Sequence, residues 1–226
     1  KVLADKLWAA YEVKQSYLNM IDATNQMVKA KFMEMFGGEK YPTKTLDELC
    51  VEWSKGQAFK KEEMCINGNT HCIHYGELFT KYGPIIKEVY SKTNSDAIRL
   101  STKGDILFPA SDVTPNGLAR CSMLPFDGVI LGGDIIVLRP VKDINPAYLS
   151  IAINQEKQQL LKRVNGGVVK HMSAKALKSI MIPIPSINLQ ERFISIAIQA
   201  ESSIASLNQS IVAIDKVIRS LINENL

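Results

Sequence analysis

Residues 180–193, IMIPIPSINLQERF, join an apolar run broken by prolines to a long helical pattern. Pro183 and Pro185 lack an amide hydrogen and have a restricted φ, so they are suited to ending a strand at a sheet edge and to stiffening the exit of the chain. Ser186 or Asn188 is a suitable N-cap for the helix that follows. The stretch therefore predicts a stiff junction between a globular domain and a C-terminal helix.

The helix after this junction carries apolar residues at alternating steps of four and three. They are Phe193, Ala197, Ala200, Ile204, Leu207, Ile211, Ile214, Ile218 and Leu221. A 3.5-residue repeat sustained over this length is the pattern of a coiled coil. At 1.5 Å per residue such a helix extends roughly 50 Å, which is longer than a small domain is wide, so the pattern predicts a partner helix.

A second helical pattern covers residues 3–35, which contain no proline or glycine and end before Gly37 and Gly38. Because the nearest partner for each long helix is the other one, we expect them to pair as an antiparallel coiled coil. The predicted seam of the N-terminal helix consists of Leu3, Leu7, Tyr11, Leu18, Ile21, Val28, Phe32 and Met35, with Lys14 and Asn25 in the same register.

The segment between the helices is rich in β-type runs separated by Gly, Pro, Asn and Asp. Residues 72–79, 96–100, 104–110, 127–140 and 179–185 read as strands, and residues 41–53 as an extended segment followed by a strand or short helix. Asn145 and Pro146 predict the start of one helix that continues to Gly166. We therefore predict an α/β (α+β) domain at 37–186, flanked by a helix at 1–36 and a helix at 187–226.

Motifs for catalysis are weak in this sequence. The NPAY string that begins at Asn145 is similar to a loop of adenine methyltransferases, but Ala147 stands where a second proline is expected, and the helix start explains the same residues. The HCIHY string (71–75) has no zinc-type spacing. No apolar run has the roughly 20 residues of a membrane span. A binding protein is favoured over an enzyme.

Basic and hydrogen-bonding residues recur in the predicted loops, and the net charge of +4 is compatible with nucleic acid. Lysine suits phosphates, while Arg, Gln and Asn form paired hydrogen bonds with base edges. The candidates are Lys55, Gln57, Lys60, Lys61, Thr80, Lys81, Tyr82, Lys87, Ser111, Asn116, Arg120, Lys170 and His171.

Several strings together resemble the specificity (S) subunit of type I restriction-modification enzymes. They are KAKFMEMFG, YPTKTLDEL, HYGELFTKYG, STKGDILFPAS, LGGDIIVLRP, INPAYLSIAIN and GGVVKHMSAKALKSIMIPIPSINLQERF. The resemblance covers almost the whole chain, and its last string departs from the family only slightly, at residues 186–190. It implies one target-recognition domain between two spacer helices, that is, a C-terminal half or a half-subunit that homodimerises.

The resemblance also implies a function and a set of partners. The domain would read one half of a bipartite double-stranded DNA target, and the helices would set the gap between the halves. Methyltransferase subunits would dock on this framework, and restriction subunits would be further partners. S-adenosylmethionine, and ATP with Mg²⁺, would be held by those subunits and not by this chain, in the cytoplasm of a prokaryote. The expected DNA-facing residues are Lys60, Lys61, Thr80, Lys81, Tyr82, Ser111, Arg120, Lys170 and His171.

Two alternatives stay open at this point. One is a coiled-coil adaptor whose domain binds protein, with basic loops that are merely solvated. The other is a fragment of a DNA adenine methyltransferase. Specific DNA binding that weakens steeply with salt distinguishes the first alternative from the recognition subunit, and methyl transfer by the isolated chain would support the second.

Overall fold

The computed structural model describes residues 2–57, 59–96 and 98–223, which divide into two compact units. The helical unit comprises Lys1–Gly37 and Arg192–Leu226, and the central domain comprises Gly38–Glu191. The division differs slightly from the boundaries at 37 and 187 expected from the sequence, because the first turn of the C-terminal helix falls within the central domain. The roles of these units as spacer helices and recognition domain stay predictions.

In the helical unit, helix α1 spans Val2–Phe36 without interruption, as predicted. Its predicted seam is wrong at three positions, since Tyr11, Leu18 and Asn25 are exposed. The error arises because α1 carries apolar residues on more than one face, so that composition does not show which face is covered. The positions shielded along the seam are Leu3, Leu7, Ala10, Lys14, Tyr17, Ile21, Thr24, Val28, Phe32, Met35 and Phe36.

Helix α7 spans Ile187–Asn223, and every apolar position of its predicted heptad repeat is buried or half-buried. The ring of Phe193 lies 5.4 Å, centroid to centroid, from the rings of both Phe32 and Phe36. Lys14 Nζ lies 2.6 Å from Asp215 Oδ1. The start of α1 therefore meets the end of α7 and the reverse, which confirms the antiparallel pairing.

The central domain has the mixed α/β architecture that the sequence predicts. Its strands are β1 (Thr43–Thr45), β2 (Cys50–Lys55), β3 (Met64–Cys65), β4 (Thr70–Ile73), β5 (Lys92–Thr93), β6 (Asp105–Pro109), β7 (Ser111–Asp112), β8 (Ser122–Leu124), β9 (Ile130–Leu131), β10 (Ile135–Pro140), β11 (Lys170–His171) and β12 (Met181–Pro183). Its short helices are the 3-10 turn η1 (Lys61–Glu63), α2 (Glu77–Thr80), α3 (Pro115–Leu118), α4 (Pro146–Gln155), α5 (Lys157–Leu161) and α6 (Ala174–Leu177).

Within the described residues these strands form two four-stranded sheets and two ribbons. The sheet orders are β2-β10-β6-β8 and β3-β5-β4-β9, and the ribbons are β1-β12 and β7-β11. Strand β10 lies at the centre of the first sheet, antiparallel to both neighbours, and its first four residues are almost fully buried. Burial on both faces explains why this stretch of the sequence is continuously apolar and does not alternate.

The strand predicted at 72–79 is correct only at Cys72 and Ile73, because Glu77–Thr80 form helix α2. The strand predicted at 96–100 is wrong. Among its described residues only Leu100 forms a β-bridge, with Ile130, while Ala97 lies outside the described residues. The side-chain amide of the buried Gln57 takes the place of a neighbouring strand, because it bonds the carbonyl of Asp96 and the amide of Ile98, each at 2.8 Å. Gln57 is therefore a structural residue, and its expected place among the surface candidates is corrected.

The predicted cap of the helix after residue 145 is confirmed. The side-chain oxygen of Asn145 accepts a hydrogen bond from Ala147 N at 2.9 Å, and Pro146 is the first helical residue. The helix does not run continuously to Gly166 as expected, because α4 ends at Gln155 and α5 begins after Glu156. In α5, the side-chain amide of Gln159 donates a hydrogen bond to Met181 O and accepts one from Met181 N, in β12.

The junction between β12 and α7 is held by the central domain. Pro183 O accepts a hydrogen bond from the buried Tyr148 hydroxyl at 2.8 Å. The buried Gln190 donates to Pro185 O and accepts from Asn145 N, both at 2.9 Å. Since Ile187 is the first helical residue, Ser186 occupies the predicted cap position, and the alternative cap, Asn188, lies inside the helix.

Replacing Gln190 with alanine is expected to lower the free energy of unfolding of the central domain by about 2 kcal/mol, because it leaves one buried donor and one buried acceptor without partners. Chemical denaturation measures this change. The matched control is Asn188→Ala, in the same turn but exposed. Equal stability of the two variants would show that the Gln190 bonds do not hold the junction.

No helix in the described ranges combines the length and apolar composition that a membrane span requires. The same ranges contain no group of three or more His, Cys, Asp or Glu side chains placed to hold a metal ion.

Candidate nucleic-acid interface

Three of the predicted site residues meet in the β7–β11 ribbon. Lys170 pairs with Asp112, and His171 pairs with Ser111, in antiparallel register. Ser111 Oγ lies 3.4 Å from His171 Nδ1, and which atom donates depends on the tautomer of the ring. The ribbon therefore brings a hydroxyl, an imidazole and an ammonium group, from segments 60 residues apart, to one exposed edge.

Residues 165–171, which end in β11, form a hairpin with a defined conformation. The backbones of Asn165 and His171 exchange two hydrogen bonds, of 3.2 and 2.8 Å. Gly166 has a φ of +102°, and a Cβ at this position would lie 2.4 Å from Val169 O, so glycine is required. Lys170 Nζ donates to Gly166 O at 3.0 Å, which leaves two of its three protons for other acceptors.

Helix α3 lies beside this ribbon and continues its surface. The hydroxyl of Thr114 caps α3 by accepting from Gly117 N at 3.1 Å and donates to Asp112 Oδ2 at 2.8 Å. One oxygen of the Asp112 carboxylate is thus occupied by this hydrogen bond within the turn. Asn116 stands exposed on the first turn of α3, so its amide adds a donor and an acceptor next to the ribbon.

Arg120 and Tyr82 have structural positions that the sequence did not indicate. The two terminal nitrogens of Arg120 donate to the carbonyls of Phe79 and Tyr82, both at 3.1 Å. The Tyr82 side chain is only 5% exposed and belongs to the main core cluster, and burial raises the pKa of its hydroxyl. The prediction that these side chains face DNA is corrected: Tyr82 is enclosed, and the guanidinium of Arg120 ties the segment after α3 to α2.

Lys81 is held by a buried carboxylate on α2. Glu77, 5% exposed, accepts from Lys81 Nζ at 2.8 Å, from Ser91 Oγ at 2.6 Å and from His74 N at 2.9 Å. Thr80 is exposed and donates to the carbonyl of Gly76. Lys81 is therefore both partly exposed and needed to neutralise Glu77, which the sequence pattern did not single out.

We expect Glu77→Gln to lower the free energy of unfolding by about 2 kcal/mol, because a single amide oxygen cannot accept all the hydrogen bonds that Lys81, Ser91 and His74 donate to the buried carboxylate. Urea denaturation of the purified chain measures this change. The control is Glu88→Gln. Glu88 is an exposed carboxylate that, like Glu77, precedes β5 in the sequence, and its replacement is expected to change stability by less than about 0.5 kcal/mol. A loss at Glu77 as small as at Glu88 would contradict the structural role.

Lys60 and Lys61 are exposed at the start of η1. Lys60 N donates to Glu63 Oε2 at 2.6 Å, and Ala110 N, next to the ribbon, donates to Asp134 O at 2.8 Å. Lys60 and Asp134 line one groove of about 380 Å³, so this lysine lies on the side of the domain from which β7 begins. The other residues that line the groove are Phe59, Glu63, His74, Tyr75 and Gly133.

Two further candidates are exposed but do not belong to the ribbon strands: Lys55 at the end of β2 and Lys87 in the segment after α2. The sequence reasoning missed the exposed valines at the ribbon end, Val113, Val168 and Val169. A signal for them was available, because two β-branched residues directly after a Gly-Gly pair are typical of a hairpin tip. We call the surface of Lys60, Ser111, Asn116, Lys170 and His171 the ribbon surface.

A family model described as the type I restriction modification DNA specificity domain matches residues 38–216. No curated protein matches the sequence significantly.

Solved structures with the same fold include three chains, each 14% identical to this one. The HsdS subunit from Thermoanaerobacter tengcongensis has a TM-score of 0.61, and the alignment covers 98% of this chain and 55% of that one. The type I restriction-modification system S subunit from M. genitalium has a TM-score of 0.62, with 97% and 58% covered. A chain from a structural study of complex assembly and conformational transition of the type I R-M system has a TM-score of 0.69, with 98% and 56% covered.

The chain spans a little over half of the length of these three structures, and at this identity the likeness concerns the fold alone. The family model, by contrast, matches most of the sequence, from the beginning of the central domain into helix α7. The chain belongs to the type I restriction modification DNA specificity domain family.

Proposed function

We propose that this chain is a DNA sequence-recognition subunit of a type I restriction-modification complex and that its central domain reads one half of a bipartite target. The observation that carries the proposal is the ribbon surface in a domain of the specificity family. A two-stranded β-ribbon fits the major groove of B-DNA, where each base pair presents a distinct pattern of donors and acceptors. Lys170 and Lys60 suit the flanking phosphates.

The side chains on the ribbon have separable roles in this proposal. Ser111 and His171 both donate and accept hydrogen bonds, so they suit base edges, while the ammonium of Lys170 suits a phosphate as a point charge. Lys61, Thr80 and Lys81 are exposed to different degrees around α2 and η1 and extend the contact along the backbone of the duplex.

The helical unit would set the distance between half-sites and would dock methyltransferase subunits. Support comes from α1, where apolar side chains outside the seam with α7 are exposed, including Trp8 at 68%, Tyr11 at 58% and Met20 at 51%. Exposed apolar faces of this kind are suited to partner proteins. In this proposal the chain is not itself catalytic, and S-adenosylmethionine, and ATP with Mg²⁺ where restriction subunits join, are held by the partners in the prokaryotic cytoplasm.

A bipartite target needs a second reader. In the solved relatives, the matched region accounts for a little over half of the chain. We propose that the second reader is either a further recognition domain of a longer chain or a second copy of this chain in a homodimer. The solution mass of the purified protein distinguishes the two.

Mapping methylated adenines in a host that carries this chain with its methyltransferase partners tests the proposal. We expect methylation at a split sequence motif, and its loss when the chain is deleted. With purified complex, affinity for that duplex should fall steeply with salt, because each phosphate contact releases counterions. Methylation without any sequence motif, or no preference for a duplex at moderate salt, would refute recognition and favour a protein-binding adaptor. Methyl transfer by this chain alone would favour a methyltransferase.

A further inference from the structure

Three valines are exposed at the open end of the β7–β11 ribbon. Val168 is 89% exposed, Val113 69% and Val169 46%. The outermost pair of the ribbon joins Asp112 to Lys170. Val113 follows the first of these residues and Val169 precedes the second, so both valines extend the ribbon just beyond its last pair. We call Val113, Val168 and Val169 the valine tip.

The valine tip is held by defined hydrogen bonds. On one side the hairpin is closed by the backbone pair of Asn165 and His171, by the left-handed Gly166 and by the bond from Lys170 to Gly166 O. On the other side Val113 N donates to Asp112 Oδ1 at 2.7 Å, directly before the cap of α3. The exposed side chains are therefore presented by backbone in a defined conformation.

Exposed valines gain free energy when a ligand buries them. Exposed apolar side chains that lie close together mark interaction sites. The basic residues near the valine tip limit the kind of ligand that it can bind. Lys170 and His171 belong to the same hairpin, and the exposed Lys162 lies three residues before it. The tip therefore fits a small apolar group next to negative charge, the combination that a thymine methyl group and the neighbouring phosphates offer in the major groove.

We propose that the valine tip contacts the 5-methyl group of a thymine in the recognised half-site. This inference rests on the proposed function, and it assigns a type of base pair, A·T, to one position of the half-site. Hydrogen bonds from Ser111 and His171 would read adjacent base edges, while the valines would detect a methyl group that cytosine and uracil lack.

The experiment uses the complex of this chain with its methyltransferase subunits and the duplex defined by methylation mapping. Each thymine of the half-site is replaced in turn with deoxyuridine, which removes the methyl group and leaves the hydrogen-bonding edge unchanged. We expect one replacement to weaken binding about four-fold, the equivalent of one buried methyl group. Val168→Ala should weaken binding of the thymine duplex by a similar factor, and in this variant the same deoxyuridine should have no further effect.

The control variant is Val51→Ala, which truncates another exposed valine, at 69% the same exposure as Val113, on β2 outside the ribbon. It should retain both full affinity and the deoxyuridine effect. A half-site without A·T pairs, no deoxyuridine effect at any position, or an effect that persists unchanged in Val168→Ala would overturn the methyl contact while leaving DNA recognition intact. Unchanged DNA affinity with weaker binding of the methyltransferase subunit would show that the tip is a protein contact and would overturn the inference. A complex that binds no DNA sequence at all refutes the proposed function itself.

Discussion

Replacing Lys170 and His171 together with alanine is expected to weaken binding of the target duplex by about ten- to hundred-fold, the size of the loss when hydrogen bonds to charged groups are removed. The salt dependence should also become shallower, by about one unit of slope for the lost lysine–phosphate contact. Both backbone bonds between His171 and Asn165 persist in the variant, so the hairpin is expected to stay folded. Binding titrations at several salt concentrations measure both effects.

The matched control is the double variant Lys142→Ala and His71→Ala, which removes the same two types of side chain from exposed positions outside the ribbon. It should bind the target as tightly as the unmodified chain. If both double variants lose the same affinity, the effect reflects overall charge, and the ribbon surface is not the reading surface. If neither loses affinity, recognition lies elsewhere on the domain.

Replacing Phe193 with alanine is expected to lower the free energy of unfolding of the helical unit by about 3–5 kcal/mol. Phe193 is fully buried, and its ring packs against both Phe32 and Phe36. Truncation leaves a cavity and removes two aromatic contacts, which stabilise beyond their buried area. Amide hydrogen exchange of α1 and α7 during denaturation reports on this unit separately from the central domain.

Two further variants test whether this loss of stability comes from the buried aromatic ring. Val212→Ala truncates an exposed residue of the same helix, at 55% exposure, and should change stability by less than about 0.5 kcal/mol. Phe193→Leu fills much of the cavity and should recover part of the loss. If exchange in α1 is unaffected by Phe193→Ala, the aromatic cluster does not hold the helical pair together.

The two long helices differ in how much of their packing can be predicted from sequence. In α7 the apolar residues at steps of four and three form an unbroken stripe, and all predicted seam positions are correct although Ile198, Val212 and Val217 are exposed outside it. In α1 large apolar residues occupy several faces, so the pattern predicts Tyr11 and Leu18 at the seam, whereas Ala10 and Tyr17 lie there. Small and polar residues such as Ala10 and Thr24 lie at the seam because α7 covers them, a fact that depends on the partner helix.

The residues of the candidate interface likewise divide into those that local sequence predicts and those whose position depends on the fold. Lys170, His171 and Ser111 are short-range signals, a basic pair after Gly-Gly and a hydroxyl after a strand, and they do lie together. Arg120 and Tyr82 look equally suitable in sequence. Tyr82 is enclosed by core residues from several segments, and the guanidinium of Arg120 donates to carbonyls about 40 positions away along the chain. Gln57 and Glu77 were not recognised as structural because a polar side chain shows its buried partners only in the folded chain.

Local sequence is sufficient to predict the two long helices, the α7 heptad repeat, the cap at Asn145 and the proline junction, because each depends on residues within a few turns of one another. Tertiary structure alone decided which face of α1 is covered and where the helix after Asn145 breaks. It also decided which polar side chains are enclosed and that three valines stand exposed beside Lys170. These features depend on contacts between segments far apart in the chain, and neither local propensity nor periodicity contains that information.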